Sequence, residues 1–161
     1  MLNNTNHLIF DWGDTLMVDD LTQNGAMAYW SEVHACDGVA ELLPRLSAKY
    51  VCVVASNAVD SDAGLIRKAF ERVKLAKYIT HYLTSKELGS KKPTPEFFVS
   101  VARVIGTEPQ NCIMIGNNYV SDICGAKAAE MVTALITSEA GEYPLADYVV
   151  EQFTGLAGIL L

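Results

Sequence analysis

The stretch His7-Leu8-Ile9-Phe10-Asp11-Trp12-Gly13-Asp14-Thr15-Leu16 decides the reading of the whole chain. Its first four residues are nearly all large and apolar, without the alternation of a half-exposed strand, and so predict a strand covered on both faces. The run stops at a carboxylate with a glycine two positions on. That places Asp11 where a buried strand opens onto solvent and leaves the backbone free to approach a ligand closely. Working outward, similar short apolar runs recur at Val51 to Ala55, Ile79 to Thr84, Cys112 to Ile115, Val132 to Ile136 and Asp147 to Val150. Between them, Val39 to Lys49, Ala63 to Leu75, Pro95 to Ile105 and Asp122 to Met131 carry apolar residues three and four apart, the period of an amphipathic helix. Strand and helix in alternation predict an α/β fold: an open, mostly parallel sheet with helices on both faces and a ligand crevice beyond the carboxyl ends of the strands.

The 161 residues are 50% apolar, enough for one domain with a sizeable core. Twelve Lys and Arg against 19 Asp and Glu give a formal charge of −7, the wrong sign for a nucleic-acid partner held through its phosphates. Cys36, Cys52, Cys112 and Cys124 form no CxxC pair and read as reduced thiols packed as small hydrophobes. Met1 to His7 lacks the basic segment and apolar run of a secretory signal, and no stretch approaches the roughly 18 apolar residues of a membrane span. The expectation is a cytoplasmic protein with no membrane partner. Nothing divides residues 1–161, which read as a single domain. Only Met17 to Asp37 breaks the rhythm, a short insertion whose middle, Gln23 to Val33, is expected to form one helix.

Chemistry gathers at the strand ends. The second strand closes on Ser56-Asn57 and the fourth on Gly116-Asn117-Asn118, with Asp122 six positions past the glycine, where a new helix is expected to begin. Lys91-Lys92-Pro93-Thr94-Pro95-Glu96-Phe97 sets an ammonium before a proline-stiffened helix start. Carboxylate and amide oxygens suit a hard cation such as Mg²⁺, which keeps several waters and is shared with a phosphate. The ammonium and hydroxyl suit the phosphate itself.

FDWGDTL (10–16), VVASN (53–57), KKPTPEFF (91–98) and CIMIGNNYVSDICGAKAAEM (112–131), in that order, resemble the four motifs of the haloacid dehalogenase-like (HAD) hydrolases, most of which are phosphatases. The resemblance runs from about Leu8 to Val150. It implies a HAD-like, Rossmann-type fold in which residues 17–37 make a minimal cap. It also implies a small phosphorylated substrate, attacked at phosphorus by Asp11 to form an aspartyl-phosphate. Ser56 and Asn57 would bind the transferring group, Lys92 would neutralise it, and Asp11, the Gly13 carbonyl, Asn117 and Asp122 would hold Mg²⁺.

This chain departs from the pattern twice. Gly13 stands where family phosphatases carry a second aspartate, the general acid to the leaving group. Asp14 is one place further on and is the candidate replacement, although a one-residue shift along an extended chain turns a side chain the other way. Asn117 stands where aspartate is common, which keeps an oxygen ligand and removes a charge. Two readings follow: a Mg²⁺-dependent phosphohydrolase using Asp11, Ser56, Lys92 and Asp14, or a weakly active or inactive phosphate-binding protein on the same fold. With so short an insertion the crevice is either open or covered by a second copy of the chain.

Overall fold

The computed structural model describes residues 5–161, so the first four residues of the Met1 to His7 segment lie outside the described residues. Six strands make one parallel sheet: β1 His7–Phe10, β2 Val51–Ser56, β3 His81–Thr84, β4 Cys112–Gly116, β5 Val132–Ile136 and β6 Tyr148–Val150. Their order across the sheet is β3-β2-β1-β4-β5-β6. The chain therefore travels outward from β1 to β3, crosses back, and travels the other way from β4 to β6. A crevice opens at such a reversal, beyond the carboxyl ends of β1 and β4. The Asp11 N–H donates to Ile115 O at 2.9 Å, which fixes the first residue past β1 beside the end of β4.

The helices are α1 Val39–Ser47, α2 Ala63–Arg72, the single turn α3 Ser85–Leu88, α4 Pro95–Val104, and the short α5 Gly125–Ala128 and α6 Ala157–Leu160. Leu8 and Phe10 point into one layer, packed with α1, α2 and α6, whereas Ile9 points into the other, packed with α4 and α5. All three side chains are fully buried. This double burial is the physical reason the strand reads as an unbroken apolar run. Cys52 and Cys112 sit in these layers, and burial pushes both thiols up to about 12. All four cysteines are free. No described helix is long and apolar enough to cross a membrane.

Two expectations are corrected. Gln23 to Val33 does not form one helix, since only a 3₁₀ turn, Met27–Tyr29, is present, and Ala26 and Trp30 on either side are extended. Gly25, at φ +72°, breaks any helix from Gln23. The carbonyls of this segment go to a distant cation instead: Arg72 Nη1 donates to Trp30 O at 2.6 Å and Ala28 O at 3.3 Å, and Nη2 to Ser31 O at 3.3 Å. The second correction concerns Asp122, which does not begin a helix. A wide π-type turn, Tyr119–Cys124, starts earlier and is capped by Asn118, whose side chain accepts the Ser121 N–H at 2.9 Å.

Gly125 lets this turn run hard against the loop before α4. A Cβ there would collide with the Pro93 carbonyl and press within 2.7 Å of the Phe98 ring. Because the collision is with backbone, Gly125→Ala is expected to destabilise the fold by about 1–3 kcal/mol, the usual cost of overpacking. A lower urea midpoint at unchanged slope checks this; a variant as stable as the parent contradicts the close approach.

Candidate active site

The site is built around one buried ammonium. Lys92 Nζ lies 2.6 Å from Asp11 Oδ1 and 2.7 Å from Asp122 Oδ1, and the side chains of Lys92 and Asp122 are 2% and 0% exposed. Asp11, at 15%, is the member open to the crevice. Burial by itself would lower the Lys92 pKa, but Asp11 and Asp122 outweigh it and raise it, so the ammonium stays charged. Burial, then the charge of Asp11, holds the Asp122 carboxyl above its ordinary value, against the opposing pull of Lys92 and the Asn118 N–H.

Local chain features bring these three groups together. At Gly116 a Cβ would overlap the Asp122 carboxylate, so a glycine at the end of β4 is what allows that side chain to fold back against the strand. The Asn118 N–H then donates to Asp122 Oδ2 at 3.0 Å. Asn57 clamps the lysine loop to the end of β2: the Lys92 N–H donates to Asn57 Oδ1, and Asn57 Nδ2 donates to Lys92 O, both at 2.9 Å. Asn57, expected as a substrate ligand, thus spends its amide on positioning Lys92. Ser56 is buried, and its hydroxyl accepts the Ala58 N–H at 3.0 Å, a bond that leaves its own proton free to donate. Asp11, Ser56 and Lys92 all line one cavity of about 370 Å³, together with Trp12, Met27 and Trp30. Two further aromatics lie outside it: Tyr29 is exposed under Lys68, and Tyr119 packs on Tyr143.

Sequence reasoning missed two residues. Buried Thr15 places its hydroxyl 3.2 Å from Asn117 Oδ1 and 3.4 Å from Asp11 Oδ2, holding two expected metal ligands together. Its signal was the Gly13-Asp14 turn, which folds the chain back so that the Leu16 and Met17 N–H groups donate to Trp12 O at 3.0 Å. Asp19 is the other, and it lies over Gly13 on the wall of the cavity. Asp19 is exposed at the cavity mouth, and partial desolvation first, then the charges of Asp14, Asp11 and Asp20, raise its carboxyl above its ordinary value. Asp14, expected as a catalytic candidate, is exposed with φ +56°, and its Oδ1 accepts the Asp19 N–H at 2.9 Å. Its carboxylate closes the loop and does not line the cavity.

The donors proposed for a metal are two carboxylates, an amide oxygen and a backbone carbonyl. Among the described residues, no cluster of three or more His, Cys, Asp or Glu side chains forms a metal site. The all-oxygen set, with two carboxylates against a single ammonium, nonetheless fits a hard cation such as Mg²⁺ in chemistry and charge.

Lys92→Met strands two facing carboxylates. Removing one partner of a buried ion pair costs about 3–5 kcal/mol. Asp122 already has a raised folded-state pKa. A group raised in this way contributes stability at low pH and loses it as pH rises through the folded value. Lys92→Met is therefore expected to be much less stable than the parent near neutral pH and to close the gap as pH falls. Urea midpoints across pH, without added divalent cation, check this; a deficit independent of pH contradicts it.

Comparison with known proteins agrees with this fold. Over 97 residues the chain is 33% identical to the glyceraldehyde 3-phosphate phosphatase of Pyrococcus furiosus, covering 55% of this chain and 40% of that protein. Over 127 residues it is 28% identical to the ribulose-1,5-bisphosphate 5-phosphatase of Halopiger xanaduensis, covering 76% and 49%. The chain thus spans less than half the length of either relative. An uncharacterized protein from Listeria monocytogenes serotype 4b superposes with a TM-score of 0.82 at 20% identity, covering 96% of each chain. The putative HAD-hydrolase YfnB from Bacillus subtilis, bound to magnesium, does so at 0.80 and 15%, covering 98% and 99%. At such identities the likeness is one of fold. Residues 7–136, from the first residue of β1 to the last of β5, match the haloacid dehalogenase-like hydrolase family throughout, and the chain belongs to that family.

Proposed function

We propose that this hydrolase is a Mg²⁺-dependent phosphatase of small phosphate monoesters, working through an aspartyl-phosphate at Asp11. The observation that carries the reading is the Lys92 ammonium, fixed 2.6 Å from the one carboxylate of its ion-pair network that opens to the crevice. A phosphoryl group drawn to that ammonium is brought onto Asp11. An Asp11 oxygen then bonds to phosphorus while the ester P–O bond breaks, and water later cleaves the acyl phosphate to release inorganic phosphate and restore the carboxylate. Lys92 and the free Ser56 proton meet the phosphoryl oxygens, where charge stabilisation matters most. Asp11, the Gly13 carbonyl, Asn117 and Asp122 are the residues that would hold Mg²⁺, which when bound supplies further positive charge to the phosphoryl group. The cavity of about 370 Å³ suits a small organic phosphate. Support also comes from the two relatives above, both named as phosphatases of small phosphate esters.

Hydrolysis of 4-nitrophenyl phosphate is the direct test. Activity is expected with Mg²⁺, to vanish on chelation, and to fall about a thousandfold or more in Asp11→Asn, as when a nucleophile is lost. An Asp11→Asn variant as fast as the parent refutes the mechanism. Phosphate binding without any turnover identifies the chain as a phosphate-binding protein instead.

A further inference from the structure

Gly13 carries no side chain on the cavity wall, and an acidic side chain from elsewhere in the chain lies against it. A Cβ built on Gly13 lies 3.5 Å from Asp19 Cβ and 3.7 Å from both Asp19 Cγ and Oδ2. The Asp19 side chain therefore lies in van der Waals contact with where a side chain at position 13 would begin. It lines the same cavity as Asp11, Ser56 and Lys92.

The backbone beneath Asp19 is held while its carboxylate is left available. Its N–H donates to Asp14 Oδ1 at 2.9 Å, the Asp14 N–H donates to Met17 O at 2.6 Å, and the Val18 N–H donates to His34 O at 2.9 Å. Among the described residues no hydrogen-bond donor reaches the Asp19 carboxylate itself. Asp14 has the opposite arrangement, with its carboxylate consumed by the loop.

Resting on the phosphatase reading above, we infer that Asp19 is the proton-transfer residue of this site, replacing from the insertion the group that Gly13 lacks. As an Asp11 oxygen bonds to phosphorus, the P–O bond to the leaving group breaks with its electron pair, and the leaving oxygen takes the proton of the Asp19 carboxyl. In the second step the Asp19 carboxylate takes a proton from water. The water oxygen bonds to phosphorus, the Asp11 oxygen departs with its electron pair, and Asp19 is protonated again for the next cycle.

A proton donor matters most where the leaving group is a strong base, which sets the experiment. Phenyl phosphate and 4-nitrophenyl phosphate have nearly the same shape and differ chiefly in leaving-group basicity. With Mg²⁺ present, kcat/KM is measured on both for the parent, Asp19→Asn and Asp60→Asn, the last altering another carboxylate of the cavity wall. Asp19→Asn is expected to lose about a hundredfold or more on phenyl phosphate and less than about tenfold on 4-nitrophenyl phosphate. Asp60→Asn is expected to leave the ratio of the two substrates unchanged. The retained 4-nitrophenyl activity shows that Asp19→Asn is folded. An equal loss on both substrates, or a selective loss in Asp60→Asn, overturns the assignment. A parent that hydrolyses neither substrate overturns the phosphatase reading itself; a parent active on both with no selective effect at Asp19 overturns only the role of Asp19.

Discussion

Everything at the carboxyl end of the sheet depends on the Lys92 ammonium held between Asp11 and Asp122. A cation this deeply buried carries a desolvation cost of several kcal/mol, and two carboxylates at hydrogen-bond distance offset it. Such a network adds little to net stability, but it specifies geometry, because removing any member strands a charge. The three residues come from three separate segments: the loop after β1, the loop before α4, and the turn after β4. Their meeting point locks the crevice edges together.

That constraint explains features without chemistry of their own. Asp122 reaches the lysine because Gly116 has no side chain to block it, and the turn carrying Asp122 approaches Pro93 because Gly125 has none either. Asn57 fixes the lysine backbone from β2. Each would read as an unremarkable small or polar residue on its own, yet each sets the position of a charge buried a few ångströms away. A change at any of them acts through Lys92.

The sheet was legible because double burial writes a continuous apolar run into each central strand, and the run ends where the strand meets the crevice. The motif residues at those ends were legible for the same reason, and the structure brings Asp11, Ser56 and Lys92 to one cavity. The insertion was not legible. Its spacing of apolar residues imitates a helix, but a glycine at φ +72° and the reach of Arg72 from the end of α2 decide its shape, and periodicity encodes neither. Asp14 was misplaced and Asp19 overlooked through one assumption, that the chain continues extended past Gly13. It turns at Asp14 instead, with φ +56°, and returns over the glycine.

The insertion shows where variation in this site is cheapest. Met27, Trp30 and Asp19 reach the cavity from a segment with almost no regular structure, held by the Arg72 guanidinium and by the isolated pairing of Met17 with Gly13 and Ala35. Buried Met17 and Met27 anchor it in the layer that contains α1 and α2. Between those anchors the backbone obeys neither sheet register nor helix period, so a side chain there changes without moving β1 or Lys92. On the phosphatase reading proposed above, the loop would set what the leaving group meets, while the ammonium and its two carboxylates would set what happens to the phosphoryl group. The division follows from burial: the charges are sealed by the core and cannot drift, whereas the wall facing them is free to be rebuilt.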